Sequence, residues 1–354
     1  MSQRRHRVTD IAAQSGLSRA TVDRVLHERP GVRPETVAQV ERALAELDRQ
    51  RGQVHLSGRT LLLDLVMQAP DRFASASQAA LEAELSSFHP AVVRVRSHLR
   101  EERDAVAAAD LLVRVADRGS DGVILKAPDH PLVVDAVGAL AEAGIPVVTY
   151  VTDLPTSRRV AYAGADNAAA GATAAYLVRS WTGPSSSSGA VMMTLSSTWF
   201  RGEDQRATGF RETLARLAPD RRVVEVSDTD GLDGTMLAAV HEALVAEPTV
   251  TAVYSVGGGN VATLAAFDAL GRYPTVFVAH DLDGDNRALL RSRRISAVLH
   301  HDLRADLRRA CRLLLQARGL LPGSPLTVPS QVQVVTPYNE PAGLGVDGSG
   351  EGQS

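Results

Sequence analysis

The chain has 354 residues, a formal net charge of −3, 44% hydrophobic and 22% charged residues; it is too long for one ordinary compact domain and suits two or three folded units. Aromatics are 4% and Cys311 is the single cysteine, so the core must be built from Ala, Val and Leu, and an internal disulfide framework is excluded. The apolar runs, such as residues 61–66, are too short to cross a bilayer and the first sixteen residues lack the apolar stretch of a secretory signal, so no membrane partner and a cytoplasmic location are expected.

Charge divides unevenly along the chain. Residues 1–60 carry 11 Arg and 7 acidic residues, a balance of +4, and the remainder carries −7. A small basic head on an acidic body fits a nucleic-acid module fused to a sensor. In that head, Thr9 is placed to cap a first helix through residues 10–14, which Gly16 ends, because glycine tolerates a left-handed turn. Ser18 caps a second helix from Arg19 to His27, with Val22, Val25 and Leu26 on one face. Pro34 opens a third helix, whose stripe is Val37, Val40, Leu44 and Leu47. Two short helices around a Gly-containing turn, backed by a third, describe a helix-turn-helix.

The stretch VTDIAAQSGLSRATVDRVLHERPGVRPETVAQVERALAEL resembles the DNA-binding head of the lactose-repressor (LacI) family, whose pattern is D-[VI]-A-x-x-A-G-V-S-x-x-T-V-S-R-V-L-N. The resemblance implies that the second helix enters the major groove of a two-fold-symmetric operator, with one head of a homodimer on each half-site. The base-reading positions fall on Arg19, Ala20 and Arg24; arginine suits bidentate contact with guanine, and an alanine methyl suits thymine. Ser18, Thr21 and the helix N-terminus would meet phosphates, and Thr9 and His27 are further candidates for contact with DNA. Asp23 stands where the family usually has Ser, and His27 where it has Asn. The Tyr-x-Pro-Asn that usually follows the third helix is replaced by Asp48-Arg49-Gln50-Arg51-Gly52. Residues 49–60 are therefore expected to be a linker ordered only on DNA, with Leu56 as its minor-groove wedge.

From Leu61 onward, short Val-rich runs alternate with Ala-rich helical segments. The strand candidates are LLLDLVM, VVRVRSHL, GVILKA, PVVTYV, VAYAGA, AVMMTLS, RVVEVSD, AVYSVG, TVFVAHD, ISAVLHHD and QVQVVTP. Continuously apolar strands separated by helices predict a doubly wound α/β fold with parallel sheets, and about 280 residues call for two lobes. Ligands then bind between the lobes, beyond the carboxyl ends of the strands. Ser185–Ser188 reads as a loop, and residues 339–354 as a disordered tail.

This region is similar to the sugar-binding-protein fold that the same family carries, nearest its ribose-binding-like branch, through SDGVILKAP, AGIPVVTY, GADNAAAGATAAYL, RGEDQRATGF and VFVAHDL followed by AVLHHDL. The resemblance implies a helix-turn-helix over 1–48 and a two-lobed domain over 61–338. Lobe 1 takes about 61–164 and 302–327, lobe 2 takes 165–301 and 328–338, and three crossings form the hinge. It places the sugar-binding aspartate on Asp281, a ligand-binding arginine on Arg206, and His301 where relatives use Gln. Asp153, Asn260, Lys126 and Phe73 are further candidates: Asp153 and Lys126, the one lysine, end strands, and Phe73 could stack on a sugar ring. Carboxylates and arginines suit vicinal hydroxyls, because each can bridge two oxygens. Each of these residues also has a plainer reading as a surface charge, a helix cap or a core aromatic.

The rival readings are an enzyme and a cytosolic solute-binding protein. Gly257–Ala262 reads G-x-G-x-x-A between a strand and a helix, with an acid about twenty residues on, which imitates a dinucleotide-binding turn. It sits deep inside a longer α/β array with no catalytic partner downstream. Asp281, Asp283 and Asp285 alternate like a calcium loop, but Gly284 is misplaced and position twelve is Ser292. No cofactor, metal or catalysis is expected. The favoured reading is a repressor whose operator affinity a small, sugar-like effector controls, an inducer rather than a corepressor.

Overall fold

The computed structural model describes residues 6–101, 104–183, 189–195, 200–227 and 233–341. The head comprises α1 (Val8–Ser15), α2 (Arg19–Leu26) and α3 (Pro34–Leu56). Gly16 ends α1 in the left-handed region at φ 69°, and the Ser18 hydroxyl accepts from the Thr21 N–H at 3.1 Å at the start of α2, satisfying one orphan donor. The three helices bury Ile11, Ala12, Val22, Val40 and Ala43. Thr9 is not the cap of α1: Arg7 holds that position, and the Thr9 hydroxyl lies one residue inside the helix, 3.3 Å from Asp10.

All eleven strand candidates form strands. β1 (Thr60–Gln68), β2 (Val92–Arg100), β3 (Gly122–Lys126), β4 (Val147–Tyr150) and β5 (Ala161–Ala163) make one sheet in the order β2-β1-β3-β4-β5, parallel throughout. On one face α4 (Asp71–Glu84) and α12 (Leu303–Ala317) bury Leu81, Leu307 and Leu314. On the other, α5 (Ala105–Arg118) and α6 (Pro131–Glu142) bury Leu112, Val137 and Leu140. The second sheet holds β6 (Ala190–Thr194), β7 (Val223–Val226), β8 (Val250–Ser255), β9 (Val276–His280), β10 (Ala297–His300) and β11 (Gln333–Val335), in the order β11-β10-β9-β8-β6-β7. Only β11 runs antiparallel, as an edge strand on β10, a common finish to an otherwise parallel sheet. Its helices are α7 (Asn167–Thr182), α8 (Arg201–Leu217), α9 (Asp233–Ala246), α10 (Asn260–Ala269) and α11 (Gly284–Arg291). α7 and α8 cross closely through glycines: a Cβ on Gly209 would lie 2.1 Å from the Ala168 carbonyl oxygen.

The chain passes between the sheets three times: between β5 and α7, between β10 and α12, and between α12 and β11. The first and third crossings touch through a bridge of Ala165 with Ser330. Two segments differ from their sequence readings. Of the linker expected at 49–60, residues 49–56 are instead the last two turns of α3, and Leu56, the expected wedge, is 4% exposed among lobe 1 residues such as Leu61, Phe88 and Leu320. Gly52 is tolerated there because Leu321 and Pro322 pack against it, 3.3 and 3.6 Å from where a Cβ would stand; tertiary contact overrides the weak helix propensity. In the expected tail, Glu340 is held by Arg287 and Arg291. The remainder, 342–354, and the Ser185–Ser188 loop lie outside the described residues.

Candidate functional sites: a helical head and an interlobe cleft

One face of α2 is turned outward. Val22 is fully buried, whereas Ser18, Arg19, Ala20, Arg24 and His27 are exposed and Thr21 is half-buried, its hydroxyl 2.8 Å from that of Ser18. Alternation at helical spacing thus separates the packing residues from those proposed to read bases. Arg24 Nη2 donates to the Pro30 carbonyl at 3.0 Å, which holds the guanidinium beside the helix. Asp23, which departs from the family pattern, faces His27 at 3.1 Å and Arg29 at 3.5 Å. Its charge is spent within the head.

The second site is the space between the lobes, at the carboxyl ends of the strands. Counted with its open mouth, it holds about 620 Å³ of space outside the protein atoms. Lobe 1 contributes Pro70, Arg72 and Phe73 at the start of α4, Lys126 at the end of β3, and Val151 and Thr152 after β4. Lobe 2 contributes Phe200, Gly202, Glu203 and Arg206 from the start of α8, Gly257 and Gly258 after β8, and His280, Asp281, Asp283 and Asn286 at the end of β9 and the start of α11. Contacts cross between the lobes. Arg72 meets Asp283 at 3.2 Å, the Gly202 N–H donates to Thr152 Oγ1 at 3.1 Å, and Lys126 Nζ stands 3.7 Å from the Phe200 ring centroid, a cation–π distance. Gly258 has to be glycine, with φ 129° and the Arg72 guanidinium 2.2 Å from the position of a Cβ.

Arg206 and Asp281 form the floor. Arg206 is 4% exposed; its Nε donates to Asn167 Oδ1 at 2.8 Å and its Nη1 to the Val256 carbonyl at 3.1 Å, leaving Nη1 3.8 Å from Asp281 Oδ2. Asp281 sits at φ 64°, a strained backbone for a non-glycine residue that two bonds retain: its N–H donates to Leu299 O at 3.0 Å and its carbonyl accepts from Asn286 Nδ2 at 2.7 Å. Burial pushes the Asp281 carboxyl upward, but Arg206, with His301 next, outweighs burial and holds it below the usual carboxylate range. Burial, then Arg206, drives His280 well below its ordinary value. That ring is neutral. The lining therefore holds three cations, Arg72, Lys126 and Arg206, and three carboxylates, Glu203, Asp281 and Asp283, of which Arg72 meets Asp283 and Arg206 meets Asp281.

Of the sequence candidates, the structure brings Phe73, Lys126, Arg206 and Asp281 to the cleft wall. His301, 3% exposed, lies directly behind Asp281, its Nε2 3.7 Å from Oδ1. Asn260 lines a smaller space on the far side of Arg72, its Nδ2 donating to Asn286 Oδ1 at 2.7 Å. Asp153 does not join them: its carboxylate accepts from Arg159 at 2.6 Å and Thr149 Oγ1 at 2.6 Å, which closes its own loop. The Gly257–Ala262 turn faces the cleft, but Arg72 and the Glu203 carboxylate lie against its glycines. Sequence reasoning missed Arg72, Phe200, Glu203 and Asp283. A strand end followed within a few residues by a helix start was their available signal. Among the described residues, no group of three or more His, Cys, Asp or Glu could hold a metal ion, and no helix is long and apolar enough to cross a membrane.

Residues 65–319 match the family described as periplasmic binding protein domain, and residues 7–50 match bacterial regulatory proteins of the lacI family. No curated protein matches the sequence. Among solved structures, GanP, a glucose-galactose binding protein from Geobacillus stearothermophilus, is 19% identical over 80% of this chain and 99% of its own, with a TM-score of 0.71. An ABC transporter solute-binding protein from Burkholderia graminis C4D1M, in complex with D-arabinose, is 20% identical over 80% of this chain and 97% of its own, with a TM-score of 0.70. A structure described as a LacI transcriptional regulator from Bacteroides fragilis is 13% identical over 79% of this chain and 98% of its own, with a TM-score of 0.69.

Proposed function

Since the chain belongs to the periplasmic binding protein domain family and carries a lacI-family regulatory head, we propose that it is a DNA-binding transcription regulator, a repressor released when an uncharged monosaccharide binds between its lobes. The observation that carries the ligand class is the charge balance of the cleft, whose lining holds three cations and three carboxylates. An anionic ligand would leave a buried carboxylate uncompensated, which costs several kcal/mol. A neutral polyol costs nothing of that kind, and its hydroxyls suit the acceptor Asp281 and the donor Arg206. Solved relatives of the same fold are described as binding galactose, glucose and D-arabinose, which supports this class.

The head supplies the output. Arg19, Ala20 and Arg24 read bases while Ser18 and Thr21 meet phosphate, and two copies of the chain engage two half-sites as a homodimer. Sugar in the cleft favours one angle between the lobes, and the resulting shift in the heads changes operator affinity by about 1–3 kcal/mol. A thermal-shift screen of the full chain tests the ligand class. D-glucose, D-galactose, D-arabinose, D-allose and D-fructose are compared with their phosphates. At a hundredfold excess over its Kd the effector stabilises by about 2.7 kcal/mol, and a neutral sugar should produce the shift. Stabilisation by phosphates alone would refute the assignment.

A further inference from the structure

A polar cluster behind the cleft is not explained by ligand contacts. Asp306, in the first turn of α12, is 2% exposed. Its Oδ2 accepts from His301 Nδ1 at 2.5 Å and from Ser330 Oγ at 3.3 Å. His301 lies on the second crossing between the lobes and Ser330 on the third. The Ser330 N–H donates to Gly164 O, at the first crossing, at 2.9 Å. One buried carboxylate therefore joins all three strands of the hinge.

The same carboxylate sets the direction of the His301 ring. An ionised carboxylate only accepts hydrogen bonds, so the Nδ1 that faces it carries the hydrogen. Nε2 then points at Asp281 Oδ1, 3.7 Å away; both of these atoms are buried without another hydrogen-bond partner, and because two bare acceptors would repel, Nε2 has to carry a hydrogen as well for the ring to hold that oxygen. The Asp281 side chain is nevertheless 25% exposed. Its inner oxygen is turned to the imidazole and its outer oxygen, Oδ2, to Arg206 and the cleft.

We propose that Asp306 is a positioning residue for the ligand site: through His301 it fixes the inner oxygen of Asp281, aims the outer one at the ligand, and ties that aim to the geometry of the hinge. The proposal rests on the cleft being the effector site. A change in the angle between the lobes disturbs the chain Asp281–His301–Asp306–Ser330, and a ligand that holds Asp281 favours the angle at which the chain is intact.

Two measurements on the full chain test this. In long-range ¹H–¹⁵N spectra of histidine rings, His301, assigned by its loss in His301→Gln, should show hydrogen on Nδ1 in the wild type, and Asp306→Asn should displace that signal. The calorimetric probe is whichever of D-glucose, D-galactose, D-arabinose, D-allose and D-fructose the wild type binds most tightly. Asp306→Asn should weaken it about tenfold, the loss expected for one partner of a charge-assisted bond. Asp302→Asn, which alters only the exposed cap of the same helix, should stay within twofold. A folded Asp306→Asn variant that binds within twofold of wild type overturns the proposal, as does a wild-type ring with a bare Nδ1. Should the variant fail to fold, the wild-type spectrum decides. If no sugar binds the wild type, the ligand class is refuted and the spectrum still decides the role of Asp306.

Discussion

Acid should destabilise the two-lobed domain well above the range in which carboxylates titrate. His300 is 4% exposed, and burial, with His301 next, lowers its pKa from 6.5 to about 4. His280 is 5% exposed, hydrogen-bonded with the Tyr254 hydroxyl at 2.8 Å, and lowered well below its ordinary value by burial. Both values lie below those of the unfolded chain, so unfolding takes up protons and stability falls as pH drops through 6.5 toward 4. For His300 the full effect is about 3 kcal/mol, of which about 1.3 kcal/mol is lost between pH 7.5 and 5.5 by linkage. His280 acts in the same direction. Asp281, held below its ordinary value, stays ionised there. Asp283, raised mainly by burial, offsets the loss slightly at the acid end. The loss of about 1.3 kcal/mol from His300, to which His280 adds in the same direction, corresponds to a fall in Tm of at least roughly 3–5 °C for a domain of this size. Scanning calorimetry at pH 7.5, 6.5 and 5.5 reads it, and His300→Leu should flatten the dependence, leaving the part due to His280. A Tm that is flat or rises toward pH 5.5 would refute the buried neutral state of these rings.

Arg206→Leu strips donors from Asn167 and Val256 and the first counter-charge from Asp281, so urea unfolding should show a loss of about 3–5 kcal/mol; unchanged stability would mean that the guanidinium is not buried among them. Gly209→Ala should cost about 1–3 kcal/mol through forced separation of α7 and α8, whereas a neutral result would show the helices to be farther apart than described. Leu56→Ala should cost about 2–5 kcal/mol by opening a cavity in the core of lobe 1. A loss of DNA affinity with no loss of stability would instead return Leu56 to the role of a groove wedge.

The strands were legible because a parallel sheet buried on both faces demands long apolar runs, and each Val-rich run forms one. The capping of α2 was legible because Ser18 has a local partner, the Thr21 N–H. The end of α3 was not: Gly52 weakens a helix by local propensity, and the Leu321–Pro322 turn that supports it lies some 270 residues away in sequence. That Arg206 and Asp281 reach the cleft was legible because Asp281 directly follows a strand and Arg206 lies in the second turn of a helix within a familiar motif. Asp153 follows the strand PVVTYV equally well, but Arg159 folds back upon it, and only the loop conformation reveals that. Asp306 carries no sequence signal, since it looks like one more acidic residue in a helix of lobe 1 until the hinge brings His301 and Ser330 to it.

Fluorescence anisotropy of the full chain on a duplex selected from random sequence tests the central claim most directly, titrated with and without the sugar that stabilises the protein. The account predicts specific binding that Arg24→Ala abolishes while weak non-specific binding survives, and a sugar-dependent change in affinity of between about 5-fold and 150-fold. Indifference to duplex sequence at low salt, or an affinity unmoved by saturating sugar, would contradict it.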